Sequence, residues 1–84
     1  MTDAQLYSSV IALCEEHLTG NALSVLLYRL RNRTASGEEA KQLAMRDMAD
    51  YCCATIFDTP SGTPVPEEAK ACARLVFALR GLPR

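Results

Sequence analysis

Cysteine and histidine are the side chains of this sequence that could bind a metal ion or take part in catalysis. The 84-residue chain contains four cysteines and one histidine. Cys14 and His17 stand three residues apart, a spacing that puts both on one face of a helix. With two further cysteines on inward helical positions, they could give a zinc ion a Cys3His coordination set. The candidate ligands are Cys14, His17, Cys52 and Cys72.

The same residues also fit a core without metal. A structural zinc motif usually supplies its ligands as two closely spaced pairs, whereas this set has one pair and two isolated cysteines. A reduced cysteine in a helix behaves as a small hydrophobic residue. His17 lies in the apolar arc of its helix, where a core or edge position is commoner than a ligand. We therefore expect core thiols and no metal or cofactor, and keep a zinc- or redox-responsive cysteine protein as the third hypothesis.

No catalytic motif is recognisable, so we expect that the protein is not an enzyme. Cys52 and Cys53 lie late in a predicted helix, where the helix dipole raises a thiol pKa and disfavours a nucleophilic thiolate. Cys53, on the predicted polar side, is the thiol expected to react first with an alkylating reagent. The four glycines stand alone and form no phosphate-binding loop.

Three arginines, Arg29, Arg31 and Arg33, are the candidate nucleic-acid contacts. Helical residues two positions apart point about 200° apart, so only Arg29 and Arg33 share a side. No interleaved aromatic residue offers a stacking platform, and a formal net charge of -1 creates no field that attracts phosphate. A small DNA-binding transcriptional regulator is therefore the second hypothesis, with nucleic acid a disfavoured partner.

Hydrophobic periodicity predicts four helices and no strand. Their predicted ranges are 3–18, 22–33, 37–57 and 66–80. We expect Gly20 to end the first helix in a left-handed cap and Asn21 to cap the second. Ser36 and Glu39 match a capping box, and Pro66 suits a first helical position.

The third predicted helix has an inward and an outward side. The residues expected to face inward are Ala44, Met45, Met48, Tyr51, Cys52, Thr55 and Ile56. The residues expected outward are Glu39, Gln42, Arg46, Asp47, Asp50 and Cys53. Leu43 and Phe57 fall outside the inward stripe and indicate a second contact surface.

The length of the chain predicts a single domain over residues 1–84. A chain of 84 residues with 49% hydrophobic and 23% charged residues folds around one core but is too short for two. We predict a compact all-α four-helix domain. The N-terminus lacks a secretion-signal pattern and no apolar run reaches about 18 residues, so the expected location is the cytoplasm, with no membrane contact.

The fourth helix is apolar on two sides. Its core stripe is Ala69, Cys72, Leu75, Val76 and Leu79. The opposite side carries Phe77 and Ala73, flanked by Lys70, Arg74 and Arg80, with Leu82 beyond the helix end. An aromatic residue among basic ones is typical of an interface anchor. The alternative is that this helix packs centrally and buries both sides.

The leading hypothesis is a small non-enzymatic protein–protein interaction module. It would be a homodimer, or an adaptor or inhibitor that docks onto a larger bacterial or phage machine. Its small size is shared with phage-encoded inhibitors of host proteins, anti-CRISPR proteins among them, and size alone carries that comparison. The expected partner is another protein, a second copy of the chain, or both.

Overall fold

The computed structural model describes residues 1–83 and contains four α-helices in that range, with no strand. The helices are α1 (Asp3–His17), α2 (Gly20–Arg33), α3 (Gly37–Asp58) and α4 (Glu67–Arg80). The predicted all-α four-helix domain is confirmed, and each helix boundary lies within two residues of its predicted place.

α1 and α3 run in the same direction and touch near their first residues. The Gly37 amide donates a hydrogen bond to the Asp3 carboxylate, with an N···O distance of 2.8 Å. A Cβ atom at Gly37 would lie 2.6 Å from the Asp3 carbonyl oxygen and 2.8 Å from the Tyr7 amide nitrogen. Only glycine allows the two backbones to approach this closely.

α2 and α4 run opposite to α3. Near the start of α4, Glu68 accepts a hydrogen bond of 2.8 Å from the Tyr51 hydroxyl. Ala22, near the start of α2, lines a groove with Tyr51, whereas Arg33 at its end lines another groove with Glu38. The helices therefore alternate in direction along the chain, as in an up-and-down bundle.

The core lies around α3, which packs against the three other helices. Its members are Leu6, Val10, Cys14, Leu18, Leu26, Leu30, Ala40, Ala44, Met48, Cys72, Leu75 and Leu79. The alanines of α3 let neighbouring helices approach, while leucines of α2 and α4 fill the space between them. Lys41 is buried beside this core, and its ammonium donates to the Leu82 carbonyl beyond the end of α4.

The connection between α1 and α2 differs in detail from its prediction. Gly20 adopts the predicted left-handed conformation, with φ 61°, but Leu18 is the C-cap of α1 and Gly20 already belongs to α2. Thr19 is the N-cap of α2, so the prediction that Asn21 caps this helix is wrong. No side-chain hydrogen bond is made at this cap.

The caps of α3 and α4 also depart from prediction. Ser36 accepts from the Glu39 amide as expected, but the Glu39 carboxylate accepts from the Ala35 amide at 3.4 Å and not from that of Ser36. The reciprocal capping box is therefore incomplete. Pro66 is the N-cap of α4, one position earlier than predicted.

The end of α3 extends past the core, so the predicted inward face of α3 is partly wrong. Tyr51 and Ile56 are 40% and 48% exposed. α3 has 22 residues and α4 has 14, and α4 begins opposite Tyr51, so the last two turns of α3 have little to bury them. Asp47, predicted outward, is half-buried and paired with Arg29.

Candidate interaction surfaces

The outer face of α4 is exposed as a strip with one aromatic residue at its centre. We define the α4 outer face as Lys70, Ala73, Arg74, Phe77 and Arg80. Helical geometry places this strip opposite the buried residues of α4, which are Ala69, Cys72, Leu75 and Leu79. Phe77 is 71% exposed, so α4 does not bury both sides. Ala73 and Leu82 are half-buried at its margin.

The α4 outer face is basic. Lys70 and Arg74 each approach the Glu67 carboxylate at 3.8 Å, so two cations share one carboxylate. Pairs that are this long and exposed contribute little energy and leave both cations available to a partner. Arg80 forms no ion pair with any residue of the described range 1–83. Phe77 thus lies between two cationic side chains, Arg74 and Arg80, each three residues away.

Further exposed apolar side chains lie at the end of α3 and in the loop after it. We call the α3 tip the three exposed apolar side chains Ile56, Phe57 and Val65. Phe57 is 89% exposed, the largest fraction among the exposed large hydrophobic residues of the described chain. Of the two residues predicted to form a second contact surface, Phe57 is exposed, whereas Leu43 is half-buried against the core, and Ile56 and Val65 were missed. The helical pattern assigns Ile56 inward, and the sequence around Val65 predicts only a loop.

The three arginines of α2 do not form one basic surface. The Arg29 guanidinium lies 2.8 Å from the Asp47 carboxylate, where it joins α2 to α3. Arg31 is exposed on another side of the helix. Arg33 is exposed beside Glu38 in a shallow groove. Nothing in this placement favours a phosphate-binding strip.

The cysteines differ widely in exposure. Cys14 and Cys72 are buried, Cys52 is half-buried and Cys53 is exposed, and all four are free thiols. Burial, with a smaller contribution from the Glu15 charge, raises the pKa of Cys14 from 9.0 to about 11. Burial is also the main cause that raises the pKa of Cys72, followed by nearby Cys52 and Glu68.

The structure does not assemble the zinc ligands of the third hypothesis. Across residues 1–83, no group of three or more histidine, cysteine, aspartate or glutamate side chains is placed to hold a metal ion. The set Cys14, His17, Cys52 and Cys72 is therefore not brought together. The raised pKa values of Cys14 and Cys72 keep these thiols protonated at neutral pH, which disfavours both metal binding and nucleophilic attack.

Two adjoining grooves border Tyr51: one of about 480 Å³ between the α1–α2 junction and the start of α4, and one of about 600 Å³ between α2 and α3. They share Asn21, Ala22 and Tyr51. The hydrogen bond to Glu68, together with its charge, raises the pKa of Tyr51, so the phenol stays protonated. His17 lines the smaller groove beside the acidic start of α4. Both grooves are open to solvent and of mixed polarity, unlike the enclosed apolar pockets that usually bind small ligands.

Residues 1–83 form a small all-α domain with Phe77 exposed on a basic face of α4 and with exposed apolar side chains at the end of α3. In the described part of the chain, no helix is long and apolar enough to cross a membrane. Searches against protein-family models, curated proteins and solved structures found no match to this chain.

Proposed function

We propose that this protein is a non-enzymatic protein–protein interaction module whose α4 outer face docks onto an acidic, partly apolar surface of a larger protein. The observation that carries the proposal is the exposure of Phe77 between Arg74 and Arg80. The module acts in the cytoplasm as an adaptor or inhibitor of a bacterial or phage machine.

The energetics of Phe77 support this role. Complete burial of a phenylalanine side chain is worth about 1.5–3 kcal/mol, and interface hot spots are commonly aromatic residues beside arginines. Arg74, Arg80 and Lys70 would steer an acidic partner toward this anchor and select against basic surfaces. The expected partner surface is therefore both acidic and partly apolar.

Affinity purification followed by titration of the purified pair tests the proposal. Wild-type protein is compared with Phe77→Glu and with Tyr28→Glu as the matched control. Tyr28 is 68% exposed on α2, so it undergoes the same charge change at similar exposure away from the α4 outer face. We expect Phe77→Glu to weaken binding by about 30-fold or more, while Tyr28→Glu binds like wild type.

Two further outcomes bear on the proposal. Arg80→Glu should slow association with the same partner and reduce the dependence of that rate on salt. Equal affinity of wild type and Phe77→Glu for the same partner would show that the α4 outer face is not the docking surface. Circular dichroism of each variant confirms that the four helices are retained.

A further inference from the structure

Because the helices alternate in direction, acidic side chains lie mostly at one end of the molecule and basic side chains mostly at the other. The end that carries the α3 tip gathers the last turns of α1 and α3 and the first turns of α2 and α4. Its exposed carboxylates are Glu15, Glu16, Asp50, Asp58, Glu67 and Glu68. Lys70 and Arg74 are the cations of the α4 outer face nearest to this end, and each lies 3.8 Å from Glu67, so the face extends from the acidic end toward the opposite one. The α3 tip therefore lies at an acidic end of the molecule.

The opposite end is basic. It gathers the first turns of α1 and α3 and the last turns of α2 and α4. Its exposed cationic side chains are Arg31, Arg33, Arg46 and Arg80, with Lys41 buried, against the carboxylates Asp3, Glu38 and Glu39. Phe77, one turn before the end of α4, belongs to this end. The formal net charge of the whole chain is only -1, because the charges of the acidic and basic ends nearly cancel.

We propose that the chain self-associates head to tail, with the α3 tip of one copy docked on the α4 outer face of a second. The inference rests on the proposed function, because it takes that face as a docking surface; the second copy would compete with the larger protein for it. The tip supplies apolar side chains among carboxylates. The face supplies an aromatic side chain among cations. Each surface thus has the chemistry that the other lacks.

The size and charge of the two surfaces determine how strongly the copies should associate and how that association should depend on salt. They offer few large side chains, so the contact is weaker than a standard interface, which buries about 800 Å² on each partner. Exposed charge pairs are screened by salt, so association weakens as ionic strength rises. A head-to-tail contact joins different surfaces and leaves one of each free, so further copies add to the pair.

Analytical ultracentrifugation of purified protein tests the inference, with Phe57→Ser removing the tip and Phe77→Ser removing the anchor of the face. Tyr28→Ser is the control for loss of an exposed aromatic side chain. At concentrations up to about 1 mM and about 0.05 M salt, wild type and Tyr28→Ser should exceed the mass of two copies. Raising the salt to about 0.5 M should weaken their association at least about fivefold.

The mixture of the two variants is the decisive sample. Phe57→Ser alone and Phe77→Ser alone should each be monomeric. An equimolar mixture should form a complex that stops at two chains, because the intact tip of one variant meets the intact face of the other. A mixture that stays monomeric, or a wild type that is monomeric throughout, overturns head-to-tail association. A monomeric wild type with Phe77-dependent binding to another protein would leave the proposed function standing.

Discussion

At the scale of single residues, Gly37 is the glycine at which an added Cβ atom would lie closest to its neighbours. It lies where the backbones of α1 and α3 meet, and a Cβ atom added at this position would be nearest to the Asp3 carbonyl oxygen, the Tyr7 amide nitrogen and Leu6 Cβ. Two of these belong to the backbone of α1, so the clash cannot be relieved by rotating a side chain. Gly81 differs, because a Cβ there would be 3.4 Å from its nearest neighbour, the Ala78 carbonyl oxygen.

The substitution Gly37→Ala should therefore lower the free energy of unfolding by about 1–3 kcal/mol, the usual cost of forcing extra volume into a packed contact. Gly81→Ala should leave stability unchanged or raise it by less than about 1 kcal/mol, since its φ of -76° suits alanine. Urea unfolding followed by circular dichroism measures both. Equal midpoints for the two variants would show that α1 and α3 do not approach closely at Gly37.

At the scale of elements, the N-terminal caps of α1 and α2 offer a matched pair of threonines. Thr2 Oγ1 accepts a hydrogen bond of 3.1 Å from the Gln5 amide, and Gln5 Oε1 accepts one of 2.8 Å from the Thr2 amide. Thr19 occupies the same position on α2 but makes no side-chain cap bond. The two positions therefore separate the energy of the cap bond from the effect of removing a threonine.

We expect Thr2→Ala to destabilise the protein by about 1 kcal/mol. The Gln5 amide loses its acceptor, and the reciprocal bond from the Thr2 amide to the Gln5 side chain loses its geometry. Thr19→Ala should change stability by less than about 0.5 kcal/mol. Thermal or urea unfolding of both variants provides the comparison. Similar losses at the two positions would mean that the Thr2 and Gln5 bonds do not stabilise α1.

At the scale of the whole molecule, α2 is the least anchored helix. It buries only Leu26 and Leu30 and, within residues 1–83, packs against α1 and α3 but not α4. A half-exposed ion pair, Arg29 with Asp47, adds a polar connection to α3. A helix with few buried contacts opens at a lower free energy than the core elements around it.

Hydrogen exchange of backbone amides should reveal this difference, with α2 exchanging faster than the middle of α3. Asp47→Asn should reduce protection of α2 by about two- to fivefold, which corresponds to less than about 1 kcal/mol for a partly exposed pair. Glu67→Gln, which removes only the long pairs within α4, is the control and should leave α2 protection unchanged. Uniform protection across the four helices would contradict a separately opening α2.

The local sequence determined the helices and much of the core. Hydrophobic periodicity located the buried residues of α4, Ala69, Cys72, Leu75 and Leu79, because a helix on a core buries one stripe. The same pattern singled out Phe77 as apolar surface outside the stripe. The capping box of Thr2 and Gln5 was also readable, since its spacing matches the motif, but it was not predicted.

Tertiary structure decided what the helical pattern left open. Tyr51 and Ile56 continue the inward stripe of α3, yet they are exposed because α4 begins only opposite Tyr51. The Arg29 and Asp47 pair joins residues 18 positions apart, so it required the antiparallel arrangement of α2 and α3. The separation of acidic and basic ends has the same origin. Periodicity assigns a residue to a side of its own helix, whereas exposure and charge clustering depend on which other helices lie beside it.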